Sequence, residues 1–359
     1  MRIYNLAFII ILFSQNFFAT SKVSVERIQI FSSDDNPWDW SRKFSSQKTW
    51  VEICEAFKKA DFEFIDEPRD VSDSYIKDMD YVLAFNLYGV SDEIAHIKRF
   101  PFERRLFILW EPITVLPHQY DKGLHLNFHK IFTMDDDLVD NKKYFKFCYP
   151  QLVLEMIDPI PFAEKKLCVQ ISSDKTYAHS NELYSERRKV IDYFEKQMTN
   201  DFDFYGTLWK SWQFKNYKGV VKAKKEVLRT YKFAFCYENS KNLNGSISEK
   251  IFDCFVAGCV PIYWGVENIT KYIPENCFID RRKFSSTEEV YLFIKNISEV
   301  EHAEYIQNIK EFLKSDAAYY FSLDYFIDVL ARHLIPNYKR EIIFDTDKVT
   351  RLNRIDHLS

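Results

Sequence analysis

Short apolar runs and longer stretches of helical periodicity alternate along most of the chain. The runs at residues 62–65, 81–85, 106–110 and 130–133 predict strands, and another is expected at 27–31. Val51, Cys54 and Phe57 recur at every third position and predict a helix over 48–59. The prolines of Ile157-Asp158-Pro159-Ile160-Pro161 then push the chain out of helical geometry and read as a linker. Beyond it the alternation resumes. Strands are expected at 167–171, 202–205, 232–237 and 260–264, and helices at 181–196, 222–230 and 248–257. Strands alternating with helices imply parallel sheets built from βαβ units. The expected class is therefore α/β, with two Rossmann-like domains, 24–156 and 163–335, facing across a cleft. The pattern turns helical from Ser286, and a polar tail occupies 336–359.

At the N-terminus Arg2 precedes an apolar stretch that Ser14, Gln15 and Asn16 interrupt. The run is shorter than the roughly 20 residues of a bilayer span. It predicts a signal peptide or signal anchor over 1–20, with a buried first strand as the alternative. Composition narrows the class. Hydrophobic residues make up 47% of the 359 and charged residues 28%, as in a core-forming protein, and 7 Gly with 11 Pro exclude collagen-like or linker-like chains. A net charge of −4 supplies no general field for nucleic acid. The seven cysteines form no CxxC pair, so they read as core thiols rather than zinc ligands, and one or two disulfides stay open if the chain is exported. The lysines between 210 and 232, interleaved with Trp212, Phe214 and Tyr217, read as a solvated face beside the site developed next.

Open α/β sheets place ligands at the carboxyl ends of their strands. Glu238, Asn239 and Ser240 end a predicted strand, and Ser246-Ile247-Ser248-Glu249-Lys250 opens an apolar helix. A helix start offers free N–H groups and a positive field suited to phosphate; Lys250 adds a full charge there, and Glu249 could hold a ribose diol. The bland alternatives stay open. Ser246-x-x-Glu249 has capping-box spacing, and Glu238 could be a solvated strand-end carboxylate. Asp135-Asp136-Asp137 after a strand reads either as a metal-binding Asp-x-Asp or as a turn, and His118, His125 and His129 nearby show no ligand spacing.

Residues 218–284, through YKFAFCYENS, SISEKIF, AGCVPIYWG and YIPENCFID, resemble the donor-binding half of the α-1,3/4-fucosyltransferases, glycosyltransferase family 10. The earlier half is similar in outline through LFILWEP and FTMD. The resemblance implies a GT-B type fold and an inverting transfer of L-fucose from GDP-fucose to a glycan hydroxyl, expected at O3 of GlcNAc. It implies that Lys250 neutralises the diphosphate, that Glu249 holds the ribose, and that Glu238 and Asn239 line the pocket with Ser248. It also places Arg187, with Arg188 second, and Lys225 toward the donor phosphates, and Glu111 as the base. No metal or other cofactor is expected. Many members carry Tyr-x-Thr-Glu-Lys where this chain has Ser246 and Ser248, so the ring is lost and the second hydroxyl kept. The rivals are a metal-dependent glycosyltransferase using Asp135–Asp137 and a non-catalytic glycan- or nucleotide-binding relative. Expected partners are GDP-fucose, a glycan acceptor and, through the N-terminus, a membrane, but no nucleic acid. The leader implies the secretory pathway (Golgi lumen in a eukaryote) or bacterial export. Sequons occur at Asn244, Asn268 and Asn296, the first in the expected donor loop.

Overall fold

A computed structural model describes residues 21–26, 62–66, 72–87 and 90–335. The expected leader, the strand at 27–31, the helix at 48–59 and the polar tail lie outside the described residues. The first sheet contains β1 (Ser21–Glu26), β2 (Phe62–Asp66), β3 (Tyr81–Phe85), β4 (Arg105–Leu109), β5 (Lys130–Thr133) and β6 (Tyr144–Lys146), in the order β2-β1-β3-β4-β5-β6. The second contains β7 (Lys166–Ile171), β8 (Phe202–Tyr205), β9 (Tyr231–Tyr237), β10 (Val260–Trp264) and β11 (Ile279–Asp280), in the order β11-β10-β9-β7-β8. Every pairing is parallel. β1 begins ahead of the position where the sequence reading starts the first domain.

Parallel strands between helices are buried on both faces, and β9 shows why an unbroken run such as YKFAFCY folds this way. Ala234 and Cys236 face one apolar cluster, while Phe233, Phe235 and Tyr237 face another. β4 divides likewise, Leu106 and Ile108 to one side and Phe107 and Leu109 to the other. The cluster that takes Leu106 and Ile108 also takes Ala234 and Cys236, so one apolar core runs through both sheets. Six of the seven cysteines are buried, as the core reading expects; Cys54 lies outside the described residues.

The main helices are α1 (Asp73–Asp78), α2 (Val90–Ile97), α3 (Tyr184–Gln197), α4 (Lys224–Arg229), α5 (Glu249–Val256), α6 (Thr287–Asn296), α7 (Glu299–Leu313) and α8 (Leu323–Leu334). α8, which the sequence reading puts with the second domain, packs on the first. Phe326 lies 5.9 Å from Trp110 and 5.4 Å from Phe147, and Lys130 Nζ donates to His333 O at 3.1 Å. In both sheets the chain order reverses at the first strand, between β1 and β3 and between β7 and β9. Such a switch point opens a crevice beyond the strand ends.

A seam closes one side of the two halves. Asp136 accepts from Asn268 Nδ2 at 2.8 Å and Tyr272 OH at 2.5 Å, and pairs with Lys146 at 2.6 Å. Burial opposes the charge on Asp136, but Lys146 and these donors hold its carboxyl below the usual range. Asp137 accepts from Asn244 at 3.2 Å, and Asp135 from the Asp137 N–H at 3.0 Å. These bonds engage all three carboxylates of the acidic run. The central carboxylate is already engaged by one cation and two neutral donors, and no cluster of three His, Cys, Asp or Glu suited to a metal occurs among the described residues. Gly245 sits in the seam at φ 74°, where any Cβ would strike Asp136 and Lys146. Replacing Lys146 by Ala leaves Asp136 half-buried without its cation, and should destabilise the chain by about 2 kcal/mol. Denaturant unfolding checks this; an unchanged midpoint would show that the seam carries no stability.

Candidate functional site

The crevice between the sheets holds a pocket of about 170 Å3 of water-accessible space. The first domain contributes Trp110, Glu111, Met134 and Tyr149 to its walls, and the second contributes Glu238, Asn239, Ser248, Glu249 and Lys250. Thr114 and Ser240 join the two walls at 2.6 Å, hydroxyl to hydroxyl.

Glu111 follows β4 and is positioned through its backbone. Asn86, at the end of β3, adopts φ 61°, a left-handed conformation that Asn tolerates, and its Oδ1 accepts from Trp110 N at 3.1 Å and Glu111 N at 2.9 Å. Glu111 O in turn accepts from Gln119 Nε2 at 2.8 Å and Tyr120 OH at 3.1 Å. Both backbone groups are thus fixed, while no side-chain hydrogen bond or ion pair reaches the carboxylate among the described residues. Burial pushes its carboxyl above the ordinary range, against the opposing pull of Lys250 and of the exposed Lys175. Beside it Trp110 packs at 4.7 Å on Tyr149 and 4.7 Å on Phe85, giving the wall an apolar floor.

Across the pocket Ser248 caps α5, its Oγ accepting from Lys250 N. The cap is therefore Ser248, and the Ser246–Glu249 capping box does not form. Glu238, buried at the end of β9, accepts from Ser248 N at 3.0 Å and Ser248 Oγ at 2.6 Å. Lys250 Nζ lies 3.4 Å from Glu238 and 3.6 Å from Glu249. Burial works against the lysine's charge, yet Glu249 and Glu238 outweigh it and hold its pKa above the usual lysine value. Burial likewise opposes the charge of Glu249, but Lys250 and Lys224 hold it down to about 2. Its side chain is still 37% exposed, so water screens part of that attraction. The result is one cation among carboxylates at a helix start, charged at neutral pH and facing open space.

The remaining candidates lie apart from the lining. Arg187 is buried on α3, donating to Tyr237 O at 2.6 Å and Asn239 Oδ1 at 3.0 Å with Tyr184 under its guanidinium. Its geometry fixes Asn239. Arg188 instead pairs with Asp174 at 2.8 Å and lies over Trp209. Lys225 reaches Asp253 of α5 only at 4.0 Å, whereas the adjacent Lys224, which sequence reasoning passed over, pairs with Asp253 at 2.8 Å and is the one whose charge acts on Glu249. His118, His125 and His129 bond or pack within the first domain rather than at the pocket. Gly265, at the end of β10, was also missed. A Cβ there would press on the buried Tyr263 hydroxyl and Glu238 Cγ. Gly265→Ala is therefore expected to displace Glu238 and, for the GDP donor that the resemblance implies, to weaken binding at least tenfold by calorimetry, about 1.4 kcal/mol. Binding equal to that of the unaltered chain would show that Glu238 has no part in the ligand site.

Two parallel α/β sheets facing across a cleft, with the helix-start cation on one wall and the free carboxylate on the other, define a GT-B fold. Residues 163–315 match the family described as "Glycosyltransferase family 10 (fucosyltransferase) C-term". The alpha-(1,3)-fucosyltransferase FucT of Helicobacter pylori is 36% identical over 75 residues, which is 21% of this chain and 16% of that protein. The 4-galactosyl-N-acetylglucosaminide 3-alpha-L-fucosyltransferase 9 of Rattus norvegicus is 25% identical over 199 residues, 55% of this chain and 50% of the relative. The chain thus spans half or less of the length of these relatives. An alpha1,3-fucosyltransferase crystal structure superposes with TM-score 0.54 at 13% identity, covering 89% of this chain and 91% of the other. The T4 phage BGT in complex with UDP-glucose gives 0.54 at 12% identity, covering 88% and 100%. At such identities the likeness establishes the fold alone.

Proposed function

We propose that the chain is an inverting fucosyltransferase that moves L-fucose from GDP-fucose to a glycan hydroxyl, expected at O3 of GlcNAc. The observation that carries this reading is the pairing, across one pocket, of an unbonded carboxylate of raised pKa with a charged lysine at a helix start. Glu111 takes the proton of the acceptor hydroxyl as its oxygen bonds to the anomeric carbon, and the bond from that carbon to the diphosphate oxygen breaks with inversion. The departing GDP keeps the electron pair. Lys250 and the N–H groups at the start of α5 stabilise its negative charge. Glu249 holds the ribose diol, Glu238 and Ser248 set the position of Lys250, and Arg187 acts mainly through Asn239. Lys224 supports the charge of Glu249.

No divalent metal is required on this reading, since the leaving group already meets a full positive charge. The reading of 1–20 as a signal peptide or signal anchor supports a reaction at a membrane, in the secretory pathway or after bacterial export. GDP release from GDP-fucose, measured with and without an N-acetyllactosamine-type acceptor and in the presence of EDTA, tests the proposal. Acceptor-dependent release that survives EDTA supports it. Release that needs a metal favours the metal-dependent rival, and GDP binding without release favours a non-catalytic relative, for which the lost ring at Ser246 is the motive.

A further inference from the structure

We propose that the loop after β8, residues 206–222, docks the protein on an anionic lipid surface. The loop is closed at its base by backbone hydrogen bonds. Gly206 N–H donates to Gly219 O at 3.0 Å and Phe204 N–H to Asn216 O at 3.0 Å, so its ends meet. Inside, Trp209 and Phe214 pack on Phe204 at 5.2 and 5.4 Å, and Trp209 Nε1 donates to Ser172 O at 2.6 Å. Outside, the same loop presents Trp212 at 79% exposure, Leu208 at 67% and Val220 at 62%. Large apolar side chains presented together to water are the kind of surface that marks a docking site.

What covers them is indicated by charge. Residues 206–225 contain six lysines and no Asp or Glu, in a chain whose net charge is −4. Lys218 is paired with Asp203, and Lys224 and Lys225 with Asp253. Glu195 meets the loop only through the Lys215 and Asn216 N–H groups, and Asp174 is taken by Arg188. Lys210, Lys215 and Lys222 have no carboxylate partner among the described residues. An indole and aliphatic side chains flanked by unpaired lysines match a phospholipid interface, where the rings sit at headgroup level and each lysine gains from anionic lipid. A nucleic acid would call for a groove with several stacking rings, and here Trp212 alone stands out. The loop's base is bonded to Ser173 and Asp174 through Thr207, next to Lys175, whose charge is felt at Glu111. Docking would therefore set the cleft beside the surface.

The test uses the full chain with vesicles of phosphatidylcholine alone or of equal parts phosphatidylcholine and phosphatidylglycerol. Hydrogen exchange is read locally over 206–222, so that binding through residues 1–20 cannot mask the result. Mixed vesicles at low salt should protect this loop and phosphatidylcholine alone should not. Lys210→Gln with Lys222→Gln should weaken vesicle binding through the loop by roughly 30-fold, from two lysines at about 1 kcal/mol each. Leu208→Ser with Trp212→Ser should remove the protection, with an unchanged melting temperature confirming the fold. Absence of protection at the loop, or protection untouched by these substitutions, would overturn the proposal. So would protection by a single-stranded oligonucleotide in place of vesicles, or a concentration-dependent dimer that the apolar substitutions abolish.

Discussion

Lys250→Ala is expected to lower kcat/KM for fucosyl transfer by on the order of 10³, the scale of removing a preorganised charge from a developing anion. Lys250 is the cation at the start of α5, with its ammonium 3.1 Å from Ser248 Oγ and 3.4 Å from Glu238. Truncation also leaves Glu238 and Glu249 unbalanced, so two carboxylates then confront an incoming diphosphate. Donor binding should weaken together with turnover, whereas loss of an acceptor contact would spare it. The Ser248 cap and its bonds to Glu238 do not depend on the lysine, so the helix should remain folded. Kinetics with GDP binding alongside check the outcome; kcat/KM within a few-fold of the unaltered chain would remove Lys250 from the phosphate site.

Glu111→Gln is expected to reduce kcat by roughly 10²–10⁴ while leaving GDP affinity within a few-fold, because it removes a general base and nothing that faces the leaving group. The electrostatics add two signs. Burial raises this carboxyl's pKa, so the deprotonated base is present above that raised value. Activity should therefore fall, as pH drops, at a higher pH than an ordinary carboxylate would give. For stability the linkage runs the other way. A carboxyl whose folded pKa exceeds its unfolded one favours the native state at low pH, and that contribution is lost as pH rises from the unfolded pKa through the folded one. At neutral pH the desolvated charge is thus a burden, and Gln should raise the melting temperature. A variant that is less active but no more stable would mean that Glu111 is solvated and ordinary. Unchanged turnover would move the base elsewhere.

The elements buried on both faces were legible because burial demands an unbroken apolar run. β4 and β9 read directly from FIL and FAFCY, and α5 from its amphipathic repeat. β6 and β11 were not, since Tyr144–Lys146 and Ile279–Asp280 are too short to carry a period. The site divides in the same way. Glu238, Ser248, Glu249 and Lys250 lie close together along the chain, at a strand end and a helix start, and the structure gathers them with Glu111 around one pocket. Choosing between Lys224 and Lys225 needs the rotation of a short helix against Asp253, to within one residue, and spacing does not supply that. The surroundings of Asp136 were not legible for a related reason. Its partners Lys146, Asn268 and Tyr272 come from distant parts of the chain, so the sequence leaves the acidic run open between a turn and a metal site. Ser246 carries the capping-box spacing in the sequence, and only the hydrogen bond to Lys250 N shows that Ser248 is the cap.

Calorimetric titration of the unaltered chain with GDP-fucose in EDTA-containing buffer tests the central claim most directly. The account predicts saturable heat at one site, retained by Glu111→Gln and lost or much reduced in Lys250→Ala. No heat with either GDP or GDP-fucose, or binding that Lys250→Ala leaves intact, would contradict it.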